Sequence, residues 1–323
     1  LEAARARLLR IDGALRGRRR VVEVALPGGL PPLAGLAFDP ATDHLHALAP
    51  ATRELLEFDA DGTLLAAESL PSEVGNARAI AIAPSTDPGD AASQSSLFVA
   101  SETLGGGAAA EISLGPVLLA ATIATEIPPL LQTVLTSKFT PPSPDPSGIE
   151  LLPPNGPLLI SDAEVEEMSI YKGVNLFEMS TAGAQVGTGD TTFFSDEPTG
   201  VGFDAASGKF YISQDDPPRG VWEVTPGADG RITSGDSRRE ILTDGIGVND
   251  PEGAAFGGGA LFVIDGTGTD VWRLAPGPNG VINGGGDDLI SSFDTAGLGV
   301  SDPEGIAYDS DGGTLFIVGR PLN

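Results

Sequence analysis

Apolar residues enter this chain in short bursts rather than long stripes. Runs such as HLHALA (44–49), KFYISQ (209–214), ALFVID (260–265) and TLFIVG (314–319) are rich in β-branched and aromatic residues and bounded by Gly, Pro or Asp. Such runs predict strands joined by tight turns. Just before each lies a second recurring pattern, a glycine opening a short apolar alternation. The copies are PLAGLAFDP, ARAIAIAPS, PSGIELLPP, PTGVGFDAA, PEGAAFGGG and PEGIAYDSD. Their anchor positions are Gly35, Ala79 (in place of glycine), Gly148, Gly200, Gly253 and Gly305, spaced 44, 69, 52, 53 and 52 residues apart. A period of roughly 40–50 residues with four strands per unit is the signature of a β-propeller.

Third strands follow in each unit (ELLEFD, AEISL, LFEMS, VWEVTP, VWRLAP). A turn such as DADG, GADG or GPNG then leads to a fourth strand, as in REILTDG and DLISSFD. The last unit stops after two strands, and its missing half lies at the other end of the chain. Ala6–Gly28 aligns with Arg53–Pro71, a third and fourth strand. The 18 residues after Gly305 and the 35 up to Gly35 restore the period of 53. The expected fold is therefore all-β, a single six-bladed propeller domain over 1–323. Segments 1–28 and 300–323 together build the closing blade, which removes an exposed sheet edge. The long second spacing marks an insertion at about 101–144. It is read as a glycine-rich loop, SETLGGGAAAEISL, a short helix over Pro128–Thr136, and a proline-rich connector.

Composition narrows the function. A net charge of −27 and no cysteine exclude thiolate metal sites and disulfides, and argue against binding nucleic acid or an anionic membrane. No apolar run is long enough to span a bilayer. Seven of the 18 basic residues fall in the first 20 positions, and they read as a solvated face of the closing strands. The expected setting is secreted, periplasmic or cell-surface, the expected state a monomer, and the partner a small molecule or protein that the sequence does not identify.

Candidate chemistry sits at the blade starts. Three residues before each anchor stand Pro32, Asn76, Asp145, Glu197, Asp250 and Asp302; one residue before it stand Ala34, Arg78, Ser147, Thr199, Glu252 and Glu304. These positions open the innermost strands, so Asp145, Glu197, Asp250, Glu252, Asp302 and Glu304 should crowd one mouth of the central channel. Asp162, Asp215 and Asp265, at second-strand ends, should reach the same face. Crowded carboxylates raise one another's pKa or take up a cation, and oxygen-only donors suit Ca²⁺. The bland alternative is turn chemistry, with Asp before Pro accepting backbone N–H bonds and Arg78, opposite Glu252, neutralising part of the cluster. His44 and His46, two apart on one strand, read as ordinary strand residues. Trp222 and Trp272, at equivalent third-strand positions, read as packing between blades. DADGTLL, GADGRITSGD and GPNGVINGGGDD lack the spacing of a calcium loop and read as hairpin turns.

EPTGVGF and the repeated DPEG(A/I)A(F/Y), each followed by a strand like KFYIS or TLFIV, resemble bacterial six-bladed propellers of the NHL-like and SdiA-regulated groups. Phytase-like esterase propellers are a looser likeness. The resemblance implies an exported bacterial protein with Ca²⁺ in or near the channel, and no settled reaction. Gluconolactonase and senescence-marker propellers are also similar, but their catalytic metal takes a first-blade glutamate where this chain has Pro32 and Ala34. The leading expectation is an extracytoplasmic Ca²⁺-binding propeller for recognising a ligand or protein. The alternative is a metal-dependent hydrolase of lactones, phosphoesters or esters, with Glu252, Glu304 or Asp302 as base.

Overall fold

A computed structural model describes residues 7–12, 20–72, 74–87, 90, 94–103, 106–114, 130–152, 156–215, 217, 219–243, 245–296, 300–309 and 313–321. Their strands are β1 (Arg7–Asp12), β2 (Arg20–Val24), β3 (Ala34–Asp39), β4 (His44–Ala49), β5 (Glu54–Asp59), β6 (Leu64–Ser69), β7 (Asn76–Pro84) and β8 (Ser95–Thr103). Then follow β9 (Gly106–Ser113), β10 (Leu130–Val134), β11 (Pro146–Leu151), β12 (Leu158–Asp162), β13 (Leu176–Met179), β14 (Gln185–Gly189), β15 (Pro198–Asp204) and β16 (Lys209–Gln214). The last eight are β17 (Gly220–Thr225), β18 (Ser237–Ile241), β19 (Pro251–Gly257), β20 (Ala260–Asp265), β21 (Asp270–Ala275), β22 (Leu289–Asp294), β23 (Val300–Asp309) and β24 (Thr314–Pro321).

These strands form six four-stranded antiparallel sheets. Five use consecutive strands; the sixth runs β2-β1-β24-β23, so both ends of the chain close one blade. The innermost strands touch in a closed cycle, β3 to β7 to β11 to β15 to β19 to β23 and back to β3. The fold is a six-bladed β-propeller. No helix among the described residues is long and apolar enough to cross a membrane.

The core is a set of layers between blades, because each sheet buries both faces. Among the described residues there are six apolar clusters, each joining two neighbouring blades. Leu8 and Val318 pack on Leu36 and Leu45, for example, and Phe98 packs with Phe177. Burial on both faces explains why the second strands read as continuous apolar runs rather than strict alternation. Trp222 lies in the layer between the third and fourth blades, its ring 5.2 Å from that of Phe194. Trp272 lies in the next layer, with Tyr211 and Phe256.

The repeated blade-start motif is a β-bulge. The register shifts between Ala34 and Leu36, Ala77 and Ala79, Pro146 and Gly148, Pro198 and Val201, Pro251 and Gly253, and Pro303 and Gly305. A bulge breaks the alternation locally and re-aims the side chain beside it, and in five blades the residue before the anchor (Arg78, Ser147, Thr199, Glu252 and Glu304) lines the central cavity. The anchor glycine itself lets two inner strands meet. A Cβ on Gly200 would stand 2.8 Å from the carbonyl oxygen of Glu252 and 2.9 Å from Cα of Gly253.

The second blade corrects two expectations. The segment expected as a helix over Pro128–Thr136 instead carries β10, paired antiparallel with β9 as the blade's outer strand. Thr133 and Val134 are β-branched, and a partner edge was available, which outweighs a weak local helix preference. Residues 128–129 lie outside the described set. The segment expected as a glycine-rich loop is largely a hairpin of β8 and β9, with Thr103 opposite Gly106 and Ala108–Ile112 buried between blades. Alanine suits that position because it packs flat in a close inter-blade layer.

The turns that look like calcium loops are closed by their own carboxylates. Asp59 accepts from the amides of Asp61 and Thr63 at 3.0 and 2.8 Å, and Asp236 from those of Gly227 and Thr233 at 2.8 and 2.6 Å. Asp288 accepts from Asn283 and Gly284 at 2.6 and 2.8 Å. Of the arginine-rich start, Arg5, Arg16, Arg18 and Arg19 lie outside the described residues. Arg10 on β1 reaches Asp61 at 3.0 Å.

Candidate functional site at the channel mouth

All six inner strands line a central cavity of about 490 Å³. Arg78, Glu252 and Glu304 stand at the end where the inner strands begin, and Asp39 stands at the other. At the first of these ends lies the tightest acidic group among the described residues. Asp215, Asp250 and Glu252 each offer an oxygen, all within 4.8 Å of one another. Burial, then the hydrogen bond and charge of Asp215, push the Asp250 carboxyl up to about 7. Arg219 lies beside the pair, its Nε 3.4 Å from Asp215 and 3.9 Å from Asp250, and offsets part of the repulsion. The Asp215 oxygen facing Arg219 is buried and makes that ion pair without a hydrogen bond. Two carboxylates this close need a shared proton or a cation.

The second-strand aspartates play two different roles, and register decides which. Pro146 pairs with Asp162 and Pro251 with Asp265, whereas Pro198 pairs with Gln214. Gln214 is thus the true counterpart of Asp162 and Asp265, and Asp215 lies one residue beyond. Asp162 accepts from Ser143 Oγ at 2.6 Å and the Asp145 amide at 3.0 Å. Asp265 accepts from the amides of Asn249 and Gly268, both at 3.1 Å. Both are spent on holding loops, while Asp215 reaches the mouth. Burial raises Asp162 to about 6 even against those donors.

The six acids singled out from the sequence divide accordingly. Asp250 and Glu252 come together with Asp215. Glu304 lines the cavity at the same end. Asp145 sits on the third blade with Arg78 at 3.8 Å, so that arginine meets the neighbouring blade's aspartate. Glu197 lies within hydrogen-bonding reach of Glu164. Asp302 is on β23 opposite Arg320, and its side chain lies outside the described residues.

Three acids escaped the sequence reading. Glu164 and Glu166 belong to the loop after β12. Burial first, then the charges of Asp196, Glu164 and Asp162, raise Glu166 to about 7. The run SDAEVEE directly after a second strand was their visible signal. The third is Glu150, two residues past Gly148 and inside the cavity, where burial pushes the carboxyl to about 8. The histidines stand away from the mouth. His44 Nδ1 is 2.7 Å from Glu57 Oε1, and His46 is buried, which lowers its pKa.

Gly266 is shaped by the site. Its amide donates to the Asp250 carbonyl at 2.8 Å, and a Cβ there would stand 2.3 Å from Glu252 Cγ. Glycine at 266 therefore leaves the room in which the Glu252 side chain lies.

No family model matches the chain, and no curated protein sequence matches it. Solved structures do. A chain of the nidogen–laminin complex superimposes with a TM-score of 0.60 at 14% identity, covering 94% of this chain and 98% of that one. A gluconolactonase from Xanthomonas campestris gives 0.58 at 15% identity, covering 99% and 98%. Regucalcin, a calcium-binding protein from Agrobacterium tumefaciens, gives 0.54 at 14% identity, covering 91% and 92%. At these identities the likeness is one of fold: this chain is a six-bladed β-propeller with structural neighbours among the gluconolactonases and regucalcins.

Proposed function

We propose that the protein is an extracytoplasmic Ca²⁺-binding propeller that recognises an oxygen-rich small molecule or protein at the channel mouth. The observation that carries this is the meeting of Asp215, Asp250 and Glu252 within 4.8 Å. Their ligand atoms are carboxylate oxygens only, which fits a hard cation, and Arg219 is the positive charge the described residues place beside Asp215 and Asp250. These three residues would hold the ion, and a bound ion would supply a positive centre open to ligand oxygens. The calcium-binding regucalcin and the gluconolactonase share the fold, which makes the channel mouth a natural place for such a site but does not assign it.

The test is a Ca²⁺ titration followed by melting temperature, with a chelator control. Wild type should melt higher as Ca²⁺ rises to millimolar levels, gaining about 1.4 kcal/mol at ten times Kd. Asp250→Asn should melt higher than wild type without Ca²⁺, because the repulsion is gone, and should no longer respond to the ion. No shift in wild type, or an equal shift in the variant, would refute the site.

A second reading, metal-dependent hydrolysis of a lactone, ester or phosphoester, is favoured by one feature. Glu304 lines the cavity at the same end as the three-acid group without belonging to it, where it can take a proton from water. If so, a hydrolase panel should show metal-dependent turnover that falls at least 100-fold in Glu304→Gln. Ligand binding with no turnover would leave the recognition reading standing.

A further inference from the structure

The central cavity carries a feature that the mouth does not explain. Two residues past each blade anchor stand Ala37, Ala81, Glu150, Gly202, Ala255 and Ala307, and all six line the cavity. Five are small, and the reason is close packing of inner strands. A Cβ on Gly202 would already stand 3.3 Å from the Ala254 carbonyl oxygen of the next blade. A glutamate at the equivalent position of the third blade is therefore an exception, with its carboxyl held in the cavity.

Nothing among the described residues compensates that carboxyl. Among the described residues no ion pair or side-chain hydrogen bond reaches Glu150, and burial alone shifts its titration. The other charged residues lining the cavity are at its ends: Arg78, Glu252 and Glu304 at one, Asp39 at the other. Asp39 is occupied by the Ala41 amide at 2.9 Å and the Thr42 hydroxyl at 3.0 Å. A half-buried carboxyl with no partner of its own becomes an unmet charge once ionised, and a positive group from outside would meet it.

We propose that the channel is a second binding site, for a primary ammonium carried on a short apolar chain, with Glu150 as its counter-ion. One carboxylate matches one positive charge; it is too few oxygens for a divalent ion, which takes six to eight. The alanines and glycine around it suit hydrocarbon, and the volume of about 490 Å³ falls among ordinary small-molecule sites. The acidic mouth draws cations toward the entrance. Glu150 is protonated at neutral pH, so it must lose its proton to receive the ammonium, and that proton leaves to buffer.

The experiment is calorimetry with n-hexylammonium, 1-hexanol and hexanoate, run at pH 7 in buffers of different ionisation enthalpy and with Ca²⁺ saturating. The expected result is that hexylammonium binds at least tenfold more tightly than the other two, releasing close to one proton. Glu150→Gln should lose that preference and the proton release, while Asp61→Asn, which removes an exposed acid from a hairpin turn far from both sites, keeps both. Equal binding of hexanol, unchanged binding in Glu150→Gln, or an equal loss in Asp61→Asn would overturn the proposal. Absence of binding by wild type would do the same. None of these outcomes depends on whether the mouth holds Ca²⁺, so the two sites are tested separately.

Discussion

Gly200→Ala should destabilise the protein by about 1–3 kcal/mol, a large effect for a single methyl group. The added carbon would stand 2.7 Å from Ser213 Oγ, 2.8 Å from the Glu252 carbonyl oxygen and 2.9 Å from Gly253 Cα. Two of these belong to the backbone of the next blade, which cannot step aside without opening the ring. Ser213 Oγ also accepts from the Gly200 amide at 2.7 Å, so moving it breaks a bond as well. Gly28, whose added Cβ would meet nothing within 4 Å, is the control, and Gly28→Ala should change stability little. Urea denaturation of the two variants separates the readings. A Gly200→Ala midpoint equal to wild type would mean that the inner strands are not in contact as described.

The same close approach explains what the sequence could and could not reveal. Six anchors at a near-constant period, with half a blade at each end, were enough for blade number and closure, because every blade must solve the same packing problem. The bulge was not legible. It depends on pairing across strands, and the one-residue offset that frees Asp215 while binding Asp162 and Asp265 appears only when Pro198 is seen opposite Gln214. The alignment that produced the anchors also contained Glu150, in a column otherwise of alanine and glycine. A linear pattern does not say that this column faces a channel, so nothing in the sequence sets that glutamate apart from the chain's other acids. β10 was misread for a similar reason: its strand partner is supplied by a hairpin across an insertion.

Glu150→Gln should remove much of the protein's loss of stability as pH rises from 4.5 to 8. In the folded chain the carboxyl titrates at about 8 rather than 4.5, so the folded state holds its proton over a range where the unfolded state has lost it. The stability it contributes is complete below pH 4.5 and is lost as pH rises toward 8 and beyond. At about 1.4 kcal/mol per unit the upper bound is roughly 5 kcal/mol, and water entering the channel reduces it to on the order of 2–3 kcal/mol. Glutamine keeps the shape and cannot ionise, so its stability curve between pH 5 and 9 should be flatter by that amount. Asp162, Glu166 and Asp250 are shifted in the same direction, so the variant will not become fully insensitive. Ca²⁺ distinguishes the contributions: a cation at the mouth relieves Asp250 and leaves Glu150 unrelieved, whereas an alkylammonium in the channel does the reverse. If the wild-type and Glu150→Gln curves run parallel, the carboxyl is solvated in the folded state, and the channel has no unmet charge to offer a ligand.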